Sequence, residues 1–142
     1  MNTAVPDASV AAKWFLGGGE TLVEEALDLL RQYSAGHLRL VVPDLFWAEL
    51  GNILWTAARQ GRCSREAQHE AVQSMLAHKI PTVPSAHLLA EAVSIATAFN
   101  RTVYDSFYVA LAVAIRAPFI TADERLANAL AAHLPVKWLG AA

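Results

Sequence analysis

Thirteen Asp and Glu residues are spread along the 142-residue chain, and their surroundings separate those with chemistry to do from the rest. Glu20, Glu24, Glu25, Asp28, Glu66, Glu70 and Glu91 fall on polar faces of helical patterns, where water carries the charge. Asp7 directly follows a short strand-like run at residues 3–6, and Asp123 follows another ending at Thr121. Asp105 stands between Thr102-Val103 and an apolar helical stretch at 106–116. In open parallel sheets, ligand sites form at the carboxyl ends of the strands, so these three are expected to share one edge. Glu49 differs because it lies inside a helical pattern among Phe46, Trp47, Leu50, Ile53, Leu54 and Trp55. With Asn52 and Thr56 it forms a narrow polar line at helical spacing. An acid in such company costs free energy unless it is paired or coordinated.

Asp7, Glu49, Asp105 and Asp123 brought together would repel one another unless they share protons or a cation neutralises them. Oxygen-only ligands select hard divalent ions, Mg²⁺ or Mn²⁺, and no His or Cys stands at ligand spacing beside them to suggest zinc. Phosphoryl chemistry is the common use of such a site: bound ions polarise the phosphate, acidify an attacking water and stabilise the leaving oxygen, with no protein nucleophile. Simpler roles compete. Asp7, Asp105 and Asp123 each precede a helical stretch and could serve as N-caps, although Thr21, Ser64 and Ser85 read as neutral hydroxyl caps of other helices. Glu49 could snorkel to the surface, and Asn52 could be ordinary helix polarity. Asp44 reads as a cap, and Glu124 as charge in a helix's first turn.

The elements that must position these residues alternate between short β-branched runs and longer helical patterns, the signature of parallel βαβ units. A brief helix is expected at residues 9–16, followed by a break at Gly17, Gly18 and Gly19. Thr21 with Glu24 reads as a capping box for a helix whose buried stripe is Leu22, Ala26, Leu29, Leu30 and Tyr33, ending at Gly36. Residues 38–42 read as a strand, and Pro43 and Asp44 open a helix closed by Gly61. Ser64 caps the next helix, to about His78. A short strand at 80–83, a helix from Ser85 to Asn100, the helix after Asp105, a strand at 118–121, a helix at 124–132 and a strand at 136–139 complete an α/β sandwich. The length suits one domain over residues 1–142 with a core of its own.

The remaining composition mostly excludes. Charged residues make up only 17% of the chain, which predicts surface committed to a partner, and a form other than the monomer. No uncharged run exceeds eleven residues, so no membrane span is expected. The N-terminus lacks a basic segment followed by an apolar one, and Cys63 stands alone, both of which suit the cytoplasm. Gly17 to Gly19 lacks the lysine and hydroxyl of a phosphate-binding loop. The five histidines are scattered and suggest no Ser-His or Cys-His catalysis. Net charge is −2, and the local basic cluster is Arg59, Arg62 and Arg65, equally readable as a solvated helix-turn-helix tip. Trp14, Trp47 and Trp55 could stack on bases, though core or dimer packing suits them better.

The segments DASVAAKWFL, VPDLFWAELGNILW, TVYDSFYVALA and FITADERL resemble the four acidic motifs of PIN-domain nucleases, and most closely those of VapC toxins from toxin–antitoxin pairs. The resemblance spans nearly the whole chain with motif order and spacing kept. It implies a PIN-like three-layer α/β/α sandwich around a mostly parallel sheet, and Mg²⁺- or Mn²⁺-dependent endonucleolytic cleavage of RNA. It also implies a homodimer and a small antitoxin that blocks the site. Carried over, Asp7, Glu49, Asp105 and Asp123 are the four motif acids and metal ligands. Ser9 and Thr121 match the hydroxyl positions beside the first and fourth; Asn52 is no part of that match and, from its place on the Glu49 line, reads equally as site support or ordinary helix polarity. Lys13 falls where it could approach phosphate or face solvent. One departure is Pro6, where the family usually places an aliphatic residue; proline removes a backbone donor and is unusual within a central strand. Two alternatives stand beside the nuclease: a receiver-like phosphate sensor, which Glu49 inside a helix fits poorly, and a PIN-fold interaction module without catalysis.

Overall fold

The computed structural model describes residues 2–141. Its main sheet has four parallel strands, β1 (Asn2–Pro6), β2 (Leu38–Leu40), β5 (Phe119–Thr121) and β6 (Val136–Trp138), in the order β2-β1-β5-β6. Two further strands, β3 (Val42–Pro43) and β4 (Thr82–Val83), pair in parallel as a separate ribbon. The helices are α1 (Ala8–Ala12), α2 (Val23–Ser34), α3 (Leu45–Arg59), α4 (Arg65–Ala77), α5 (Leu89–Phe99), α6 (Val103–Ile115) and α7 (Glu124–Leu130). They flank the sheet as the α/β/α sandwich expected from the alternation of patterns. Parallel strands covered on both faces must be apolar throughout. Val5, Leu40, Phe119 and Ile120 are accordingly buried, and α6 packs Tyr108, Val109, Ala110, Leu111 and Ala112 into the same core.

Pro6 does not disturb the sheet. Val5 and Asp7 donate their backbone N–H groups to Pro118 and Ile120 at 2.9 and 3.0 Å, so the edge of β1 facing β5 is intact. Successive residues of a strand alternate their hydrogen-bonding sides, so proline's missing donor lies on the β2 side. There the register ends at Ala4↔Leu40, and the chain leaves for β3. Pro6 is therefore paired only on its β5 side, with Ile120.

Three local expectations are corrected. Residues 38–42 form two strands in different sheets, because Val42 pairs with Thr82 instead of continuing along β1. The Thr21–Glu24 capping box does not form: α2 starts at Val23, and Leu22, packed against the core, takes a left-handed backbone (φ 59°) with no side-chain cap. Glu24 instead faces Arg31 at 3.5 Å. Asp44 makes no side-chain cap either; its carboxylate accepts the hydroxyl of Ser85, which holds its pKa below the usual range. Ser64 does cap α4, accepting from Ala67 N at 3.0 Å. Gly36 ends α2 with φ +79°, where His37 N reaches back to Gln32 O at 2.9 Å.

Candidate active site

The C-terminal ends of β1 and β5 lie side by side, and the chain turns from each directly into a helix. Asp7 leaves β1 as the N-cap of α1, its Oδ1 accepting from Val10 N at 3.0 Å and from the Ser9 hydroxyl. Its Oδ2 accepts from Thr121 Oγ1 at 2.6 Å. The same Thr121 hydroxyl accepts from Asp123 N at 3.0 Å, so one buried side chain ties the first acid to the fourth. Asp123 caps α7, accepting from Leu126 N at 3.1 Å. Capping and site placement are therefore compatible for Asp7 and Asp123, since each acid is held in place by the helix it starts.

Asp105 is placed differently from the sequence expectation. It follows no strand and caps nothing: α6 begins at Val103, two residues before it, and Thr102 is the cap, accepting from Asp105 N at 3.2 Å. The Asp105 carboxylate is thereby released from helix duty into the cleft. Glu49 projects from α3, and its Oε1 accepts from the Tyr108 hydroxyl at 2.6 Å. Sequence reasoning missed Tyr108. The available signal is a tyrosine on an apolar helix one turn after Asp105, because a buried phenol needs a partner for its hydroxyl. Its ring is stacked on Phe119 of β5, with centroids 5.1 Å apart, which fixes where that hydroxyl points.

Charge from neighbouring acids reaches Glu49 and Asp105. Burial raises the pKa of Asp7 against four hydrogen bonds that lower it. Burial likewise raises Glu49, with the charges of Asp7 and Asp105 adding to the effect and the Tyr108 hydrogen bond opposing it. Asp105 is raised by burial and by Asp123, and lowered by Thr102 and Arg101. Tyr108 is pushed far above its usual value by burial and by the carboxylate it faces, so it stays a donor. A cleft of about 410 Å³ opens among Asp7, Ser9, Glu49, Asn52 and Asp105, with Ala8, Leu45, Ala48, Ile53, Tyr104 and Tyr108 completing its wall. Asn52 is exposed at its rim. Asp123 lies outside that lining, exposed, and acts on the cleft through Asp105 and Thr121.

Lys13 takes neither of its expected positions: it is buried and pairs with Glu20 at 3.7 Å. Trp14 is in the core, its indole donating to Ala26 O at 2.8 Å, and Trp47 donates to Thr82 Oγ1 at 2.9 Å. Trp55 is 52% exposed. Among the described residues no three His, Cys, Asp or Glu side chains are already gathered in a geometry that holds a metal ion. The donor set nevertheless suits a hard cation, being all carboxylate oxygen with pKa values raised at Asp7, Glu49 and Asp105.

The PIN domain family model matches residues 4–130. No curated protein matches in sequence. Several solved structures share the fold. PAE2754 from Pyrobaculum aerophilum superposes with a TM-score of 0.68 at 21% identity, covering 90% of this chain and 79% of that one. VapC20 of Mycobacterium tuberculosis, a sarcin-ricin loop cleaving toxin, gives 0.65 at 15%, with 92% and 95% covered. VapBC2 of Rickettsia felis, solved bound to a DNA fragment from the promoter, gives 0.62 at 11%, with 96% and 98% covered. With the family model spanning both β-strand acids, Glu49 and Asp105, the chain belongs to the PIN domain family.

Proposed function

We propose that this chain is a Mg²⁺- or Mn²⁺-dependent endoribonuclease and the toxin of a VapBC-type pair. The observation that carries the reading is the gathering of Asp7, Glu49 and Asp105 in the lining of one cleft, each with its pKa raised chiefly by burial, with Asp123 beside it tied to Asp7 through Thr121. Asp7, Glu49 and Asp105 would hold the cation, with Asp123 at the margin. A bound divalent ion supplies charge neutralisation, polarises a phosphate and acidifies a water. The chain's own residues prepare that chemistry. Ser9, Val10 N and Thr121 fix both oxygens of Asp7, and Tyr108 fixes Glu49 by one oxygen. Thr102 keeps the first turn of α6 satisfied without Asp105. The apolar wall formed by Leu45, Ala48 and Ile53 offers an uncharged base a place beside the acids.

Substrate and partners follow from the same reading. RNA is favoured because one structural neighbour is a toxin that cleaves the sarcin-ricin loop, and a cognate antitoxin because others are toxin–antitoxin assemblies. A homodimer would cover Val72 and Leu76 of α4 and Leu89 and Val93 of α5, all exposed apolar side chains. Among the described residues no helix is long and apolar enough to cross a membrane. A cytoplasmic location suits the proposed RNA substrate. Membership of the PIN family replaces the receiver-like alternative. The catalytically silent alternative draws on the absence, among the described residues, of three acids at ligating geometry.

Asp105→Asn separates the two. Pure Asp105→Asn protein is expected to lose Mn²⁺-dependent cleavage of RNA by more than about 100-fold, beyond the usual cost of removing a supporting group. Its fold should be unchanged, because Thr102 supplies the cap. Cleavage retained by the variant, or absent from the wild-type chain with Mg²⁺ and Mn²⁺ present, would sink the catalytic assignment.

A further inference from the structure

The exposed side of α3 does not end at the cleft. Asn52, on the cleft rim, and Arg59 are seven residues apart, two helical turns, and so share one face roughly 10 Å apart along the axis. Between them stands Trp55, and the Arg59 guanidinium lies over its indole at 4.7 Å from the ring centroid. Beyond the helix, Arg62 and Arg65 are exposed as well. None of these arginines is in an ion pair among the described residues; Arg62 Nε donates only to Gln60 Oε1, at 2.9 Å. A second cavity of about 470 Å³ opens here, lined by Trp55, Ala58, Arg59, Cys63, Arg65 and Gln68, with no acid in its wall.

Three arginines and a half-exposed indole in one place require an account in a chain with a net charge of −2. A solvated helix tip would explain the arginines but leave the tryptophan facing water. We infer that the Trp55–Arg59 stack, with Arg62 and Arg65, is a docking surface for single-stranded RNA that leads the strand along α3 to the carboxylates. The inference rests on the ribonuclease reading of the cleft. The chemistry matches a strand with two kinds of group: phosphates meet the unpaired guanidinium groups, and a base extends the indole–guanidinium stack. An acidic peptide would satisfy the arginines and leave the indole face without a partner. The surface also answers a difficulty of the cleft itself, whose acids repel a polyanion; attraction has to come from a neighbouring patch.

The test is anisotropy of a dye-labelled single-stranded RNA titrated with full-length Asp105→Asn protein, which binds without cutting. Trp55→Ala should weaken binding about ten-fold or more, and Trp55→Phe should restore most of it. Combined Arg59→Gln, Arg62→Gln and Arg65→Gln should lower the magnitude of the salt slope by about 2, at about 0.7 per lost phosphate contact. With the cleft acids native, Trp55→Ala should raise KM for RNA and leave kcat at saturation in place. Folded variants with unchanged affinity and slope would overturn the inference. So would loss of self-association with RNA affinity intact, which would make the patch a contact between copies, or a polyglutamate probe binding as tightly as RNA. If the wild-type chain cuts RNA while the variants behave alike, this inference fails alone. If the wild-type chain neither binds nor cuts RNA, the ribonuclease reading fails with it.

Discussion

Tyr108 and Glu49 are fifty-nine positions apart in sequence, and the phenol of one donates to a carboxylate oxygen of the other at 2.6 Å. The contact joins α6 to α3 across the cleft, and it lowers the Glu49 pKa that burial raises. Asp7 is similarly held by neutral donors, Ser9 and Thr121, whereas Asp105 gives its backbone N–H to the Thr102 cap and leaves its carboxylate to the cleft. The neutral partners orient the carboxylates and leave their charge uncancelled, which is what a cation site requires.

Tyr108→Phe removes that hydroxyl while keeping the ring against Phe119. Mn²⁺-dependent RNA cleavage should fall by about 10–100-fold, the usual cost of losing an orienting partner. Without the hydrogen bond, the Glu49 pKa should rise further, so the acid limb of the activity profile should move to higher pH. A profile that keeps its midpoint while activity falls would assign Tyr108 a packing role only.

Thr121→Val keeps the shape and deletes both hydrogen bonds of the hydroxyl, stranding Asp7 Oδ2 and the Asp123 N–H. Denaturant unfolding should show a loss of about 1–3 kcal/mol, the cost of leaving the buried Asp7 oxygen unpaired. Cleavage should fall as well. Thr121→Ser should recover both, because a hydroxyl at that position is what counts; failure of serine to do so would place the defect in packing.

Asp7, Glu49 and Asp105 all titrate higher in the folded chain than their ordinary values of 3.8, 4.5 and 3.8, burial being the largest cause for each. Above those ordinary values the folded state holds more protons than the unfolded one. The stability they allow is therefore complete below them and lost as pH rises through the raised values. Metal-free protein should melt at a higher temperature near about pH 5 than near about pH 8, and Glu49→Gln should flatten the difference. Mn²⁺ at about 100 times its Kd should return about 2.7 kcal/mol at neutral pH by binding the native state alone. A metal-free melting temperature that rises with pH in wild type, and equally in Glu49→Gln, would contradict the coupling.

Lys13 is buried against Glu20, neither facing solvent nor lining the cleft. Lys13→Met should leave kcat/KM for RNA unchanged, because an apolar side chain of similar length replaces a buried charge at little cost. Glu20→Gln, which strands that charge, should destabilise by about 1 kcal/mol given the partial exposure of the pair. A large loss of cleavage in a stable Lys13→Met protein would return the lysine to the site.

What the sequence shows by itself is which acids stand apart from the solvated ones, and the alternation of elements. Asp7, Glu49, Asp105 and Asp123 are legible because each stands at a strand end or on an apolar helix, where a carboxylate has few ordinary uses. The parallel sandwich is legible because helical and strand periods differ. The caps were only partly legible. Ser64 caps as read, while the Thr21–Glu24 box gives way to the burial of Leu22, and Asp44 is taken by Ser85 from a distant segment. Tertiary packing outweighs local preference at such positions, since a cap contributes only about 1 kcal/mol.

Only the tertiary structure decided what links the acids. Thr121 joins Asp7 to Asp123 across 114 positions, Tyr108 meets Glu49, and Pro6 sits harmlessly where β2 has turned away. Each depends on which strands are neighbours and where their register ends. A one-dimensional pattern shows which residues face inward, but not which of them meet.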